Sequence, residues 1–446
     1  MTEGEASPIR IPGRIFNGIW WQVMKLQNTI LLMVAVLGPG IAFAQQGVTK
    51  PQTVSRPTGF RFFNQRLTIK PHVSLSYTYD SNIDADSSEI DDSVLAAKPA
   101  VDFEWHGSKW LIVGDVWYRH RYFCEHNGQM GEDSYGEAIR YKYVSTSQDR
   151  TGWTLMLSER YANINQSDEL NYGGDGRGLW RNRQTFDAAA VLERRFADRW
   201  HMNVQGQYSW LDYENQGGKY APLFGWHQYS VGSQFGYMAS KWTDLLVAVG
   251  YSLYDQDITG NPYYTSRKYN DQSDIYSVQA GIGTRANERI HYRALMGVSW
   301  LDYAGADSAD CGWTYSLSGN WRIHRQLNFT VLGSSYYQPS DQYVGQAQKV
   351  YTLSAGLSYL TLGDRLNLSL NVAWRYNETC YSDDWYTSSQ NYSRKLISTR
   401  LAADYLLNRW TSVFAHLIWD NQSTDGTNPY YDYDRVRGVL GVRLHY

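Results

Sequence analysis

The sequence predicts an all-β chain: a transmembrane, antiparallel up-and-down β-barrel of about 18 strands, within a range of 16–20. Three observations predict it. Apolar and polar residues alternate with period two in many segments of roughly ten residues. Very short connections alternate with long polar ones. Aromatic residues, with Tyr 37 and Trp 18 among 446 residues, gather beside both kinds of connection. A mean hydropathy of -0.52 looks water-soluble. A membrane barrel gives such a value too, because lipid-facing and lumen-facing residues alternate along each strand. A formal charge of -3 leaves no basic footprint for nucleic acid.

Residues 1–44 read as a secretory signal peptide. Arg14 and Lys25 precede the short apolar run Ile30 to Gly38, and Ala42, Phe43 and Ala44 form a small-x-small cleavage site. The run is shorter than the ~20 apolar residues a spanning helix needs. Met24-Lys25 is a second candidate start, and an N-terminal anchor helix is the competing reading. Residues 45–65 are expected to form a periplasmic N-terminal segment, and residues 66–446 the outer-membrane β-barrel. Cys124, Cys311 and Cys380 are far apart and show no metal or redox spacing. Nothing in the sequence asks for a metal or a cofactor.

The strands announce themselves by alternation. Leu366, Leu368, Leu370, Val372, Trp374 and Tyr376 interleave with Asn367, Ser369, Asn371, Ala373, Arg375 and Asn377. The same holds from Ile290 to Trp300 and from Leu95 to Trp105. Short turns are expected at Gly107 to Trp110, Ala197 to Trp200, Ser240 to Trp242, Gly363 to Leu366 and Leu407 to Trp410. Long loops are expected at Ser81 to Asp92, Gln166 to Gly178, Gly260 to Ser273, Tyr381 to Arg394 and Asn421 to Asp432. Trp110, Trp153, Trp200, Trp242 and Trp410 beside the short turns form one girdle. Tyr77 to Asp80, Trp210 to Tyr213, Leu253 to Gln256, Trp300 to Tyr303 and Ile418 to Asn421, before long loops, form the other. Trp and Tyr favour the membrane boundary because one end is apolar and the other wet. A soluble sandwich or propeller explains the alternation, but not two girdles, asymmetric connections and a signal peptide together. Nine hairpins from Arg66 place both termini in the periplasm, with the last strand, Arg435 to Tyr446, pairing with the first, near Arg66 to Tyr79.

A barrel this wide leaves an aqueous lumen. Alternation points many charged residues inward, with arginine in excess over acid. Arg119, Arg121, Arg140, Arg435 and Arg437 are the candidate pore-lining cluster, suited to anionic or polyhydroxylated solutes. Cross-lumen ion pairs are the competing role for each. Tyr263, Tyr264, Trp385, Tyr386, Tyr430 and Tyr431 lie in aromatic, carboxylate-rich loops suited to stacking on sugar rings; ordinary interfacial packing is the alternative. Asp84, Asp86, Glu89, Asp91 and Asp92 match no defined cation loop. No hydrolase or zinc-protease motif is present, and His120 has no serine at a telling spacing, so the chain is read as a non-enzyme.

The stretch Tyr77-Thr-Tyr-Asp-Ser-Asn-Ile83, an aromatic-x-Tyr-Asp-x-Asn-Ile first strand before an acidic loop, resembles the outer-membrane β-barrel porins associated with exopolysaccharide and capsule gene clusters. The ending Gly441-x-x-Leu444-x-Tyr446 also resembles the terminal signal for barrel assembly, although Val439 stands where a polar residue is expected. The resemblance implies an outer-membrane channel of a Gram-negative bacterium, with polysaccharide export as its cargo traffic. Its partners would be outer-membrane lipids and lipopolysaccharide, the barrel-assembly machinery, polysaccharide and periplasmic export components. The alternatives are a plugged structural or adhesive barrel whose aromatic loops bind glycans or partner proteins, and a barrel enzyme acting on lipid.

Overall fold

The computed structural model describes residues 59–83, 91–125, 133–145, 152–165, 182–196, 199–213, 225–257, 272–284, 289–303, 309–339, 347–380, 393–425 and 432–446. The expected signal peptide and the six aromatic loop residues Tyr263, Tyr264, Trp385, Tyr386, Tyr430 and Tyr431 lie outside the described residues. So do Asp84, Asp86 and Glu89.

A short strand, β1 (Phe60–Phe62), precedes the wall. The wall begins with β2 (Leu67–Asp80), β3 (Asp92–His106), β4 (Trp110–Phe123), β5 (Asp133–Val144), β6 (Trp153–Asn165) and β7 (Asn182–Arg195). It continues with β8 (Trp200–Tyr213), β9 (Gly225–Met238), β10 (Asp244–Asp257), β11 (Gln272–Gly283), β12 (Ile290–Tyr303) and β13 (Ala309–Arg322). It ends with β14 (Leu327–Pro339), β15 (Ala347–Thr361), β16 (Leu366–Cys380), β17 (Ser393–Asn408), β18 (Thr411–Asp425) and β19 (Tyr433–His445). Each strand pairs antiparallel with its sequence neighbours, and β19 pairs with β2. The 18 strands β2–β19 therefore form a closed barrel, each strand paired on both sides.

Register fixes which residues look outward, since cross-strand partners share a face. Leu75 opposes Val442 and Ala97, and Tyr77 opposes Leu440 and Leu95. Around the barrel the outward residues are large, apolar and exposed: Leu75, Val116, Val247, Met296, Leu370, Leu417 and Leu440 among them. A water-soluble protein does not display such a band; lipid is the solvent that fits it. Glu137 and Glu159, on neighbouring strands, are two carboxylates on this outward face.

Aromatic pairs mark the short-turn end. Trp105 meets Trp110 with ring centroids 5.4 Å apart, Tyr143 meets Trp153 at 5.0 Å and Trp200 meets Tyr237 at 4.9 Å. The C-terminal residue joins them: Tyr446 stacks on Phe60 of β1 at 4.5 Å and lies 5.6 Å from Trp410. β1 and β2 thus cover the aromatic end of β19. Gly441 has a matching reason to be small, since a Cβ there would stand 2.3 Å from the Phe414 ring.

Strand boundaries depart from expectation at the long-loop end. β18 runs on to Asp425, past Asn421, and still pairs there with Ser393 of β17. Apolar alternation stops at the membrane boundary, but backbone pairing does not, so the polar continuation reads as loop from sequence alone. β1 is likewise an unexpected strand inside the segment 45–65.

Candidate functional site

The inward faces carry the chemistry. All five expected pore residues point to the lumenal side: Arg119 and Arg121 on β4, Arg140 on β5, Arg435 and Arg437 on β19. They do not form one cluster. Arg435 is 5% exposed and holds Asp80 of β2 with both Nε, at 2.8 Å to Oδ1, and Nη2 to Oδ2. Arg437 holds Asp420 of β18 at 2.7 Å. Both carboxylates are buried; the Arg435 pair fastens the closing seam, and the Arg437 pair ties β19 to β18 beside it. Arg121 lies over the Phe123 ring at 5.3 Å, and Arg119 donates to Ser134 Oγ at 3.4 Å. Arg140 is exposed to the lumen, as are Lys142, Arg160 and Arg400.

The motif Tyr79-Asp-Ser-Asn-Ile83 is the seam's cap. Asp80 Oδ1 also accepts the Asn82 backbone N–H at 3.2 Å, and Ser81 exchanges bonds with Val436 across the seam. Asn82 is fully buried, and Ile83 packs with Val94 and Phe123. Asp92, read from sequence as part of an acidic loop, is buried and accepts from the Ser93 and Glu125 N–H groups. His120 faces outward and meets Asp133 at 2.9 Å rather than a serine.

The lumen has two unlike walls. β2–β7 and β16–β19 present lysines and arginines with scattered acids. β8–β13 present amides and hydroxyls instead: Asn203, Gln205 and Gln207 on β8, Gln228 and Ser230 on β9, Ser252 and Gln256 on β10, Gln279 on β11 and Thr314 and Ser316 on β13. They bond to one another, as in Gln228 to Ser230 at 2.9 Å and Gln279 to Thr314 at 3.1 Å. Asp244, Arg293, Asp310 and Arg322 are charged exceptions on this side.

A hairpin lies across the neutral wall. The outer half of β14 parts from β13 and folds inward with β15, which stays paired with β16 up to Ala347↔Cys380. The Tyr337 hydroxyl donates to Asp310 at 3.1 Å, its carbonyl accepts from Tyr254, and Lys349 reaches Ser299 at 2.7 Å. Tyr337 is buried with Tyr254, Ile275 and Leu301, and Trp226 packs against them. Gly312 makes room: a Cβ there would stand 3.1 Å from the Tyr337 hydroxyl. Between this hairpin and the far wall is a cavity of about 660 Å³. Arg183 and Asp187 of β7, Trp226 of β9, Tyr336 and Gln338 of β14 and Arg375 of β16 line it. Arg375 is held by Asn377 at 2.7 Å and reaches Gln338 at 3.4 Å.

Sequence reasoning missed Asp80, Asp420 and Arg183, although parity along their strands marks all three as inward. It also missed Tyr337 and Lys349. Parity puts those two on the lipid side, so only the inward fold of the hairpin explains them.

No family model matches the chain, and no curated protein matches it. Among solved structures it is similar to the siderophore receptor PirA from Acinetobacter baumannii, at 8% identity and a TM-score of 0.40, over 84% of this chain and 80% of that one. It is also similar to the outer membrane protein opdK from Pseudomonas aeruginosa, at 11% identity and 0.39, over 85% and 99%. The ferric-catecholate import receptor Fiu from E. coli K12 matches at 10% and 0.39, over 87% and 82%. Likeness at this level says nothing of what enters the lumen.

Proposed function

We propose that the barrel is an outer-membrane channel for hydrophilic anionic solutes, with polysaccharide or its fragments as the cargo. The observation that carries this reading is the two-sided lumen. One wall offers guanidinium and ammonium groups, and the other offers amides and hydroxyls. Carboxylated sugars need both: a cation for the acid, and paired donors and acceptors for the ring hydroxyls. The cavity repeats the pattern on a small scale, with Arg183 and Arg375 beside the Trp226 and Tyr336 rings. Aromatic faces suit the apolar side of a sugar ring. The resemblance of the Tyr79-Asp-Ser-Asn-Ile83 stretch to polysaccharide-cluster porins supplies the cargo and the outward direction. On this reading the short turns, Leu67 and Tyr446 face the periplasm.

Planar-bilayer recording tests it. The purified barrel is expected to conduct, to prefer chloride over potassium, and to be blocked reversibly by an oligo-uronate but not by a neutral oligosaccharide of equal length. Cation preference, or block by both sugars alike, would sink the anion reading. The inward hairpin favours a second reading, a plugged structural or adhesive barrel. That reading requires silence in the bilayer even after the contacts holding the hairpin are removed.

A further inference from the structure

One junction in the wall is only half made. β13 and β14 pair from Arg322↔Asn328 up to Ser316↔Ser334, and there the ladder stops. Both strands run on. β13 continues to Ala309 paired with β12, and β14 continues to Pro339 paired with β15. Continued in the same register, the ladder would pair Tyr315 with Ser335, Trp313 with Tyr337 and Cys311 with Pro339. Alternation would then set Tyr337 on the outer surface beside Trp313. Trp313 is 65% exposed there now.

The hairpin keeps its faces as it leaves the wall. Tyr336 and Gln338 look into the lumen in either position. Tyr337 and Lys349, which would face lipid in a complete wall, rest on the inner faces of β10–β13 instead. A change of sheet curvature near Ser334, with the β15–β16 ladder kept, therefore interconverts the two positions without turning any strand over. The Ser335 hydroxyl stands in for the missing ladder, accepting the Tyr315 N–H at 3.0 Å. The Tyr315 phenol spans the junction to the Thr352 carbonyl at 3.0 Å.

We propose that the β14–β15 hairpin is a gate with two mutually exclusive positions: folded into the lumen, or swung out to complete the β13–β14 ladder. The inward position has the aromatic cluster and the Asp310 and Ser299 contacts. The outward one regains backbone pairing along Ala309–Tyr315, puts Tyr337 beside Trp313 at the membrane boundary and releases Lys349 to the headgroup layer. Two discrete packings of one element are what a switch requires.

A native thiol makes the test direct. Cys311 is exposed and reduced on the outer face of β13, while the hairpin is on the lumenal side. A full-length Pro339→Cys variant, with Cys124→Ser and Cys380→Ser, would have its two thiols opposed only in the outward position. Mild oxidation in membranes should form a disulfide between Cys311 and the thiol introduced at position 339, several-fold faster when Lys349→Met is added. In bilayers, oxidation should raise conductance and reductant should reverse it. Absence of the disulfide in both variants, with Cys311 still labelled by maleimide and the barrel still heat-modifiable on gels, would overturn the swing. A disulfide with unchanged conductance would overturn the gate. Ion preference is read separately, so a cation-selective but gated barrel would sink the anion reading alone.

Discussion

Two junctions in this barrel solve the same problem in opposite ways. At the closing seam, β19 meets β2 across 355 residues of sequence, and the join is fastened by a buried ion pair, paired bonds between Ser81 and Val436 and a capping turn. β13 and β14 are joined by a short turn, yet their ladder stops halfway and side-chain hydroxyls cover the gap. A seam between distant strands gets no help from local chain connection, so its fastening must be strong and specific. A hairpin of adjacent strands stays tethered whether or not its upper rungs form, which leaves those rungs available for movement.

The largest effect should come from removing the seam itself. Deleting Arg435 to Tyr446 takes away all of the pairing between β2 and β19, and no heat-modifiable barrel should reach the outer membrane. A folded product would show that β2 and β18 can close without β19. Next is Arg435→Ala. It strands Asp80, 4% exposed, without its cation, and breaking a buried pair costs about 3–5 kcal/mol. Urea unfolding in bilayers should show that loss, and Asp80→Leu combined with Arg435→Met should restore most of it. If the single change costs no more than a surface pair, the seam is not held as described.

At the other junction the same scale of change should act on conductance rather than on folding. Tyr337→Phe removes one hydrogen bond, to Asp310, worth about 1 kcal/mol. That should raise the outward population about fivefold while the unfolding midpoint barely moves. A Tyr337→Phe barrel with unaltered open probability would place the hold elsewhere in the cluster.

The sequence made this contrast only partly legible. Alternation, turn length and aromatic placement are properties of a strand and its solvent, so the 18-strand closed barrel and its inward arginines could be read directly. Which arginine meets which acid depends on register across the seam. Arg435 finds Asp80 only after closure, and no local pattern marks the pair. The hairpin is hidden for a different reason. Tyr337 and Lys349 obey the alternation of a wall strand, and that pattern is equally consistent with the outward position. Sequence periodicity describes the complete ladder, whereas the structure shows the strands folded inward.

The smallest prediction compares one substitution at both junctions. Ser81 and Ser335 each use a side-chain hydroxyl to satisfy a backbone N–H next to a ladder end: Val436 N–H at 2.8 Å and Tyr315 N–H at 3.0 Å. At Ser81 the neighbouring backbone bond to Val436 remains, and pairing below it is continuous, so Ser81→Ala should cost well under about 1 kcal/mol and leave conductance alone. At Ser335 the hydroxyl is the substitute for a rung. Its removal leaves the Tyr315 N–H unsatisfied while the hairpin is inward, and only the swung-out ladder supplies a new acceptor. Ser335→Ala should therefore raise open probability by a factor of a few, less than Tyr337→Phe does. Equal behaviour of the two alanine variants would mean that the β13–β14 gap is a fixed feature of the wall and that the two junctions differ in shape alone.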